Sequence, residues 1–105
     1  MLTNNQENSL ILDEQALNRV SEFFRLMGDN TRLNILITLS KGEHCVSDLV
    51  NKLSISQSTI SHQLKLLRTA RLVKTRRDGR AIYYSLDDEH IANIIATAIE
   101  HAFEK

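Results

Sequence analysis

A mainly α-helical fold with one β-hairpin (α+β), in the order ααααββα, follows from three observations on this chain of 105 residues. Apolar residues recur at helical spacing through most of its length. Around residues 72–86 that pattern gives way to two short strand-like runs flanking Asp78-Gly79, a two-residue hairpin turn. Upstream, two helical segments are separated only by Ser54-Ile55-Ser56, the spacing of a helix-turn-helix. Together these predict a winged helix-turn-helix.

The elements follow in order. Residues 1–12 are polar and are expected to form a flexible N-terminal arm, leaving 13–105 as the folded domain. Asp13 can cap a first helix running to Met27, with Leu17, Val20, Phe24 and Met27 on one face and Gly28 as its stop. Asp29 can cap a second helix to about Ser40, with Leu33, Leu36 and Ile37 inward. Gly42 breaks the chain, and a short helix over about Cys45–Leu53 leads into the three-residue turn. The helix after it carries Ile60, Leu64, Leu67 and Ala70 as a buried stripe. Strands near 72–76 and 81–86 precede a last helix, roughly Asp88–Phe103. No Pro-rich or Gly-rich linker and no internal repeat divides the chain.

Composition excludes several classes. There is no long apolar run, so no membrane span is expected, and the opening MLTNNQENS lacks the charged-then-apolar order of a leader peptide. Cys45 is the single cysteine; no intramolecular disulfide is possible, which fits a reducing cytoplasm. With three glycines, no phosphate-cradling glycine loop and no nucleophile–base pair, an enzyme is not expected, and neither is an organic cofactor.

Net charge is zero, but its distribution is uneven. Lys65, Arg68, Arg71, Lys74, Arg76, Arg77 and Arg80 lie within one short stretch that holds a single acid, Asp78. A basic patch on a neutral protein still attracts phosphates locally. The outer face of the preceding helix carries Ser58, Ser61, His62, Lys65 and Thr69, small donors followed by cations. Such a helix can approach the edges of bases closely while the hairpin cations meet the backbone, which points to double-stranded DNA.

The order DNTRLNILITLS, GEHCVSDLVNKL, SQSTISHQLKLLRTARLVKTRRDGRAIYYSLDDEH resembles the ArsR/SmtB family of bacterial metal-responsive repressors over about residues 14–104. The segment STISHQLKLLRTARLVKTRRDGR is its most specific part. The resemblance implies a cytoplasmic homodimer whose two recognition helices enter successive major grooves of palindromic operator DNA. It also implies that Gln57, Ser58, Ser61 and His62 read base edges or nearby phosphates, and that Lys65, Arg76, Arg77 and Arg80 add backbone contacts.

The last helix bears a second constellation. Asp88 and His90 stand at its start; His101 and Glu104, three apart and so on one face, stand at its end. Asp88 can join His90 if it occupies the non-helical cap. Eleven residues separate the two histidines, about 16 Å at the helical rise, too far for one ion within one chain. Two such helices packed antiparallel would join the start of one to the end of the other, with Ile91, Ile94, Ile95, Ala98 and Ala102 supplying the contact. Two imidazoles and two carboxylates suit tetrahedral Zn(II), with Co(II) as a surrogate. The same residue types at this spacing resemble the C-terminal-helix site of the family's zinc-sensing branch. A plain alternative is helix capping, since carboxylates favour a helix start and His its end.

Cys45-x-x-Asp48 resembles half of a thiolate site found in other members. That site also draws Cys or His from the N-terminal arm, and residues 1–43 contain neither. Cys45 is therefore expected to be a small buried thiol and His44 a surface residue. Two rival functions remain: a winged-helix repressor answering a non-metal or redox signal, and a non-catalytic protein-interaction module.

Overall fold

Local signals set the helix starts. In the computed structural model, which describes residues 12–104, Asp13 accepts the amide of Ala16 at 2.7 Å and starts α1 (Glu14–Met27). Asp29 likewise takes the Arg32 amide at 3.0 Å and starts α2 (Asn30–Leu39). At α3 (Val46–Leu53), Asp48 reaches back to the Cys45 amide at 3.3 Å. Ser56 caps α4 (Gln57–Thr69) through the Thr59 amide, and Asp88 caps α5 (Glu89–Ala102). Each carboxylate or hydroxyl satisfies an amide that has no partner within the helix.

Between α4 and α5 lies an antiparallel hairpin, β1 (Val73–Asp78) and β2 (Ala81–Leu86). Among the described residues the order is that expected from the sequence. The turn is shifted by one residue from expectation. Asp78 pairs with Ala81, so the two turn residues are Gly79 and Arg80, with Gly79 at φ +63°. A left-handed glycine in the first turn position suits the twist of a two-residue hairpin. The arm expected over 1–12 lies outside the described residues except for Leu12.

The core draws on every helix. Ile35 and Leu36 of α2, Leu49 of α3, and Ile60, Leu64 and Leu67 of α4 are fully buried. Leu26, Met27, Leu39, Leu72, Val73, Ile91 and Ile95 close around them. Ile60, Leu64 and Leu67 thus follow the expected stripe, while Ala70, past the end of α4, is exposed. Truncating the centre of this stripe, Leu64→Ala, should cost about 2–5 kcal/mol by cavity formation. Urea unfolding measures it; a loss below about 1 kcal/mol would mean the core is not packed as described.

The apolar stripes of α1 and α2 divide between core and surface. In α1 the residues that turn inward are Leu26 and Met27, with Phe23 packed beside them, while Leu17, Val20 and Phe24 are 53%, 44% and 58% exposed. In α2, Ile35, Leu36 and Leu39 fill the core and Ile37 packs against it, while Leu33 and one side of Ile37 line an open groove. Leu17, Val20 and Phe24 are apolar as read, but the chain's own core does not cover them.

Candidate nucleic-acid interface and metal ligands

The α3–turn–α4 unit places the reading face. Ser54 adopts φ 55°, a left-handed conformation that turns the chain sharply after α3. With Ile60, Leu64 and Leu67 fixed inward, Gln57, Ser58, Ser61, His62 and Lys65 are all exposed on the opposite face of α4. No bulky apolar side chain stands among these five. The helix therefore offers hydroxyl, amide and imidazole donors at its N-terminal end and a cation further along, with the positive end of the helix dipole facing the same way.

Arg32 anchors this helix from behind, a role its place in the sequence did not signal. Its Nε donates to the Leu26 carbonyl at 2.9 Å, and Nη1 reaches Gln63 Oε1 at 3.4 Å. One guanidinium thus ties the end of α1 and the start of α2 to the recognition helix.

The wing is held just as firmly. The backbone of His44 pairs with Tyr84 through two hydrogen bonds of 3.0 and 2.8 Å, adding a bridge to the edge of β2. Contrary to expectation, the His44 side chain is buried, at 6% exposure. Its Nε2 lies 2.8 Å from Lys52 Nζ and its Nδ1 lies 2.7 Å from the Gly42 carbonyl. An ammonium only donates, so Nε2 accepts and the proton sits on Nδ1. Both ring nitrogens are engaged, and neither faces a cluster of metal-ligating groups.

Of the wing cations, Arg77 and Arg80 are exposed, Arg80 in the turn itself. Arg76 differs. It forms a two-pronged pair with Glu43, with contacts of 3.0 Å from Nε and Nη2, and its guanidinium carbon lies 4.9 Å from the centre of the Tyr83 ring. The Arg76 hydrogen bond holds the Glu43 carboxyl below its ordinary value.

The four proposed metal ligands form two pairs. Asp88 has extended backbone, as its pairing with His90 required, and its Oδ1 accepts the amides of His90 and Ile91 at 2.9 and 3.4 Å. His90 Nδ1 lies 3.4 Å from the same oxygen. Desolvation pushes the Asp88 carboxyl up, but hydrogen bonds from the His90 side chain and the two amides outweigh it, and the net shift is downward. At the other end, His101 Nδ1 and Glu104 Oε2 are 2.7 Å apart. His90 and His101 side chains are 89% and 84% exposed. Among the described residues of one chain, no three His, Cys, Asp or Glu side chains converge on one ion position. Each end of α5 therefore brings together one imidazole and one carboxylate, nitrogen and oxygen donors of the kind that fit a borderline divalent cation.

Ile91 and Ile95, expected between paired helices, are buried in their own subunit at 4% and 2% exposure. Ala98, Ile99, Ala102 and Phe103 face outward instead. Cys45, expected buried, is half-buried at the α3 cap, 3.1 Å from Ser47 Oγ.

Comparison with known proteins agrees with this architecture. Residues 29–75 match the family described as bacterial regulatory protein, arsR family. A transcriptional repressor SmtB homolog from Synechocystis is 43% identical over 86 residues, covering 82% of this chain; the chain spans 65% of that relative's length. A cadmium resistance transcriptional regulatory protein CadC homolog from Staphylococcus aureus is 41% identical, covering 81% of this chain and 71% of its own length. Among solved structures, the homodimeric winged helix-turn-helix DNA-binding domain of Mb0332 from Mycobacterium bovis superposes with a TM-score of 0.79 at 29% identity, covering 86% of this chain and 91% of that one. A helix-turn-helix with a polar outer face, a basic wing beside it, and these likenesses lead to one conclusion: the chain belongs to the arsR family of bacterial regulatory proteins, with a winged helix-turn-helix fold.

Proposed function

We propose that this chain is a metal-responsive repressor that binds palindromic operator DNA as a cytoplasmic homodimer and is released when Zn(II) fills two sites shared between its C-terminal helices. The observation that carries this reading is the pair of half-sites at opposite ends of α5: Asp88 with His90, and His101 with Glu104. Neither pair suffices alone, and antiparallel pairing of two α5 helices completes both. The relative named for cadmium resistance supports a metal as the class of signal.

A second copy also accounts for the apolar surface left open. Leu17, Val20 and Phe24 of α1, Ile99 of α5 and Phe103 just past its end are exposed, and a groove of about 330 Å³ is lined by Phe24, Leu33, Ile37, Ala98, Ile99 and Ala102. Patches of this kind mark interfaces. Two-fold pairing through this face makes the operator palindromic, because half-sites mirror the symmetry of the protein. Gln57, Ser58, Ser61 and His62 then meet base edges, and Lys65, Arg77 and Arg80 meet phosphates.

Asp88 and His90 of one subunit and His101 and Glu104 of the other would hold the ion, and bound Zn(II) would supply a fixed link between the two helices. The residues do the rest: Asp88 and His101, fixed to opposite helices, hold the angle between subunits, and that angle sets the spacing of the two α4 helices. DNA requires half-sites about one helical turn apart, so a locked angle that misses this spacing releases the operator. Operator DNA must in turn weaken zinc binding by the same factor. Protons compete with the metal for His90 and His101, so acid weakens zinc binding.

Competitive zinc titration of the metal-free protein tests the site, and two zinc ions per dimer is the expected result. Cobalt(II) should give the absorption of a tetrahedral centre. Absence of tight binding would remove the sensor and leave the DNA reader. For the reading face, Ser58→Glu with His62→Glu should lower operator affinity about a hundredfold or more, since each lost base contact is worth about 1–3 kcal/mol. Zinc stoichiometry should not change. Undiminished operator binding would remove α4 as the recognition helix.

A further inference from the structure

Arg76 is the wing cation whose charge is already answered within its own chain. Its guanidinium meets both oxygens of Glu43, with Nε 3.3 and 3.0 Å from Oε1 and Oε2 and Nη2 3.0 Å from Oε1. It lies over Tyr83, its cross-strand partner in the hairpin. A planar fork paired with a carboxylate and lying over a ring is held more rigidly than a single surface ion pair. Glu43 in turn precedes His44, whose backbone pairs with Tyr84 and whose buried imidazole meets Lys52 of α3. One short segment thus grips the wing on one side and the helix-turn-helix on the other.

We propose that the Glu43–Arg76–Tyr83 cluster is a positioning clamp that sets the angle between wing and recognition helix, and that Arg76 is not one of the phosphate-binding cations. The charge argument is direct. Each free cation placed on a phosphate releases counterions and steepens the salt dependence of binding, by about 0.9 per contact. Arg76 with Glu43 is neutral as a pair. Moving Arg76 to a phosphate strands the Glu43 carboxylate beside DNA, so the exchange gains no net charge. Arg77 and Arg80 form no ion pair among the described residues, and their charge is available in full.

The proposal rests on the DNA-binding reading above, and one set of measurements separates the two. Operator affinity is measured against salt for the native dimer, Arg77→Gln, Glu43→Gln and the double variant Glu43→Gln/Arg76→Gln. Arg77→Gln removes one phosphate contact per subunit and should flatten the slope by about 1.8 per dimer. The double variant keeps the net charge and should keep the native slope, while losing roughly threefold to tenfold in affinity at every salt concentration. Glu43→Gln alone leaves Arg76 unpaired and should steepen the slope by the charge it frees. If Arg76 were a native phosphate contact, the double variant would instead flatten the slope by about 1.8 per dimer, as Arg77→Gln does, and that result overturns the clamp.

A direct readout does not need DNA. In the native protein the Glu43 carboxyl should titrate below its ordinary value, and in Arg76→Gln it should return upward, followed by the NMR shift of its side-chain carbon. No difference between the two proteins would also overturn the clamp. A native dimer that binds no DNA, with the Glu43 titration behaving as expected, would instead count against the DNA-binding reading.

Discussion

Ile99→Glu is expected to convert the dimer into folded monomers. Ile99 is 39% exposed in the single subunit and lines the open apolar groove, so a carboxylate there leaves the core intact. Across a two-fold contact it would bury one charge from each subunit without a partner, and such a pair costs several kcal/mol. Sedimentation should show one subunit at concentrations where the native chain is paired. Two losses should follow together. A monomer reads one half-site, so operator affinity should fall toward the non-specific level, about a thousandfold. Each α5 keeps only two ligands at either end, so tight zinc binding should disappear although His90 and His101 are untouched. A variant that stays dimeric would place the interface elsewhere and take the shared metal site with it.

His101→Ala is expected to separate sensing from DNA binding. His101 is 84% exposed and, among the described residues, its side chain pairs with Glu104, so its removal should leave the fold, the dimer and operator affinity unchanged. It should abolish tight zinc binding, because each shared site drops to three ligands and loses an imidazole. Zinc should then fail to release the operator, whereas in the native dimer it should lower affinity by about 5- to 150-fold, the usual range of allosteric coupling. Restoring the response in a mixed dimer, with Asp88 and His90 removed from the other subunit, would show that the ligands come from both chains: one of its two sites remains complete. A His101→Ala protein that still answers zinc would sink the site.

How far the sequence reached can be judged element by element. The caps at Asp13, Asp29 and Asp88 were legible because capping is local, decided by a side chain and an amide two or three residues on. The Ser54-Ile55-Ser56 turn was legible for the same reason. The hairpin turn fell one residue late, on Gly79-Arg80, because a glycine can serve either turn position and only strand pairing fixes the register. The polar face of α4 was readable once Ile60, Leu64 and Leu67 defined its opposite side.

By itself, the sequence determined the order of elements, the exposed donors of α4, the basic bunching around the wing, and two His–carboxylate pairs too far apart for one ion. Those properties depend on neighbours within a turn or two of helix. The tertiary structure decided which apolar faces close on the core and which stay open, sending Leu26 and Met27 inward while Leu17, Val20 and Phe24 face out. Periodicity records that a face leaves water, not which surface receives it. It also buried His44 and joined Arg76 to Glu43, thirty-three residues away, since a charge pair across that distance exists only after the chain has folded the wing against the start of α3.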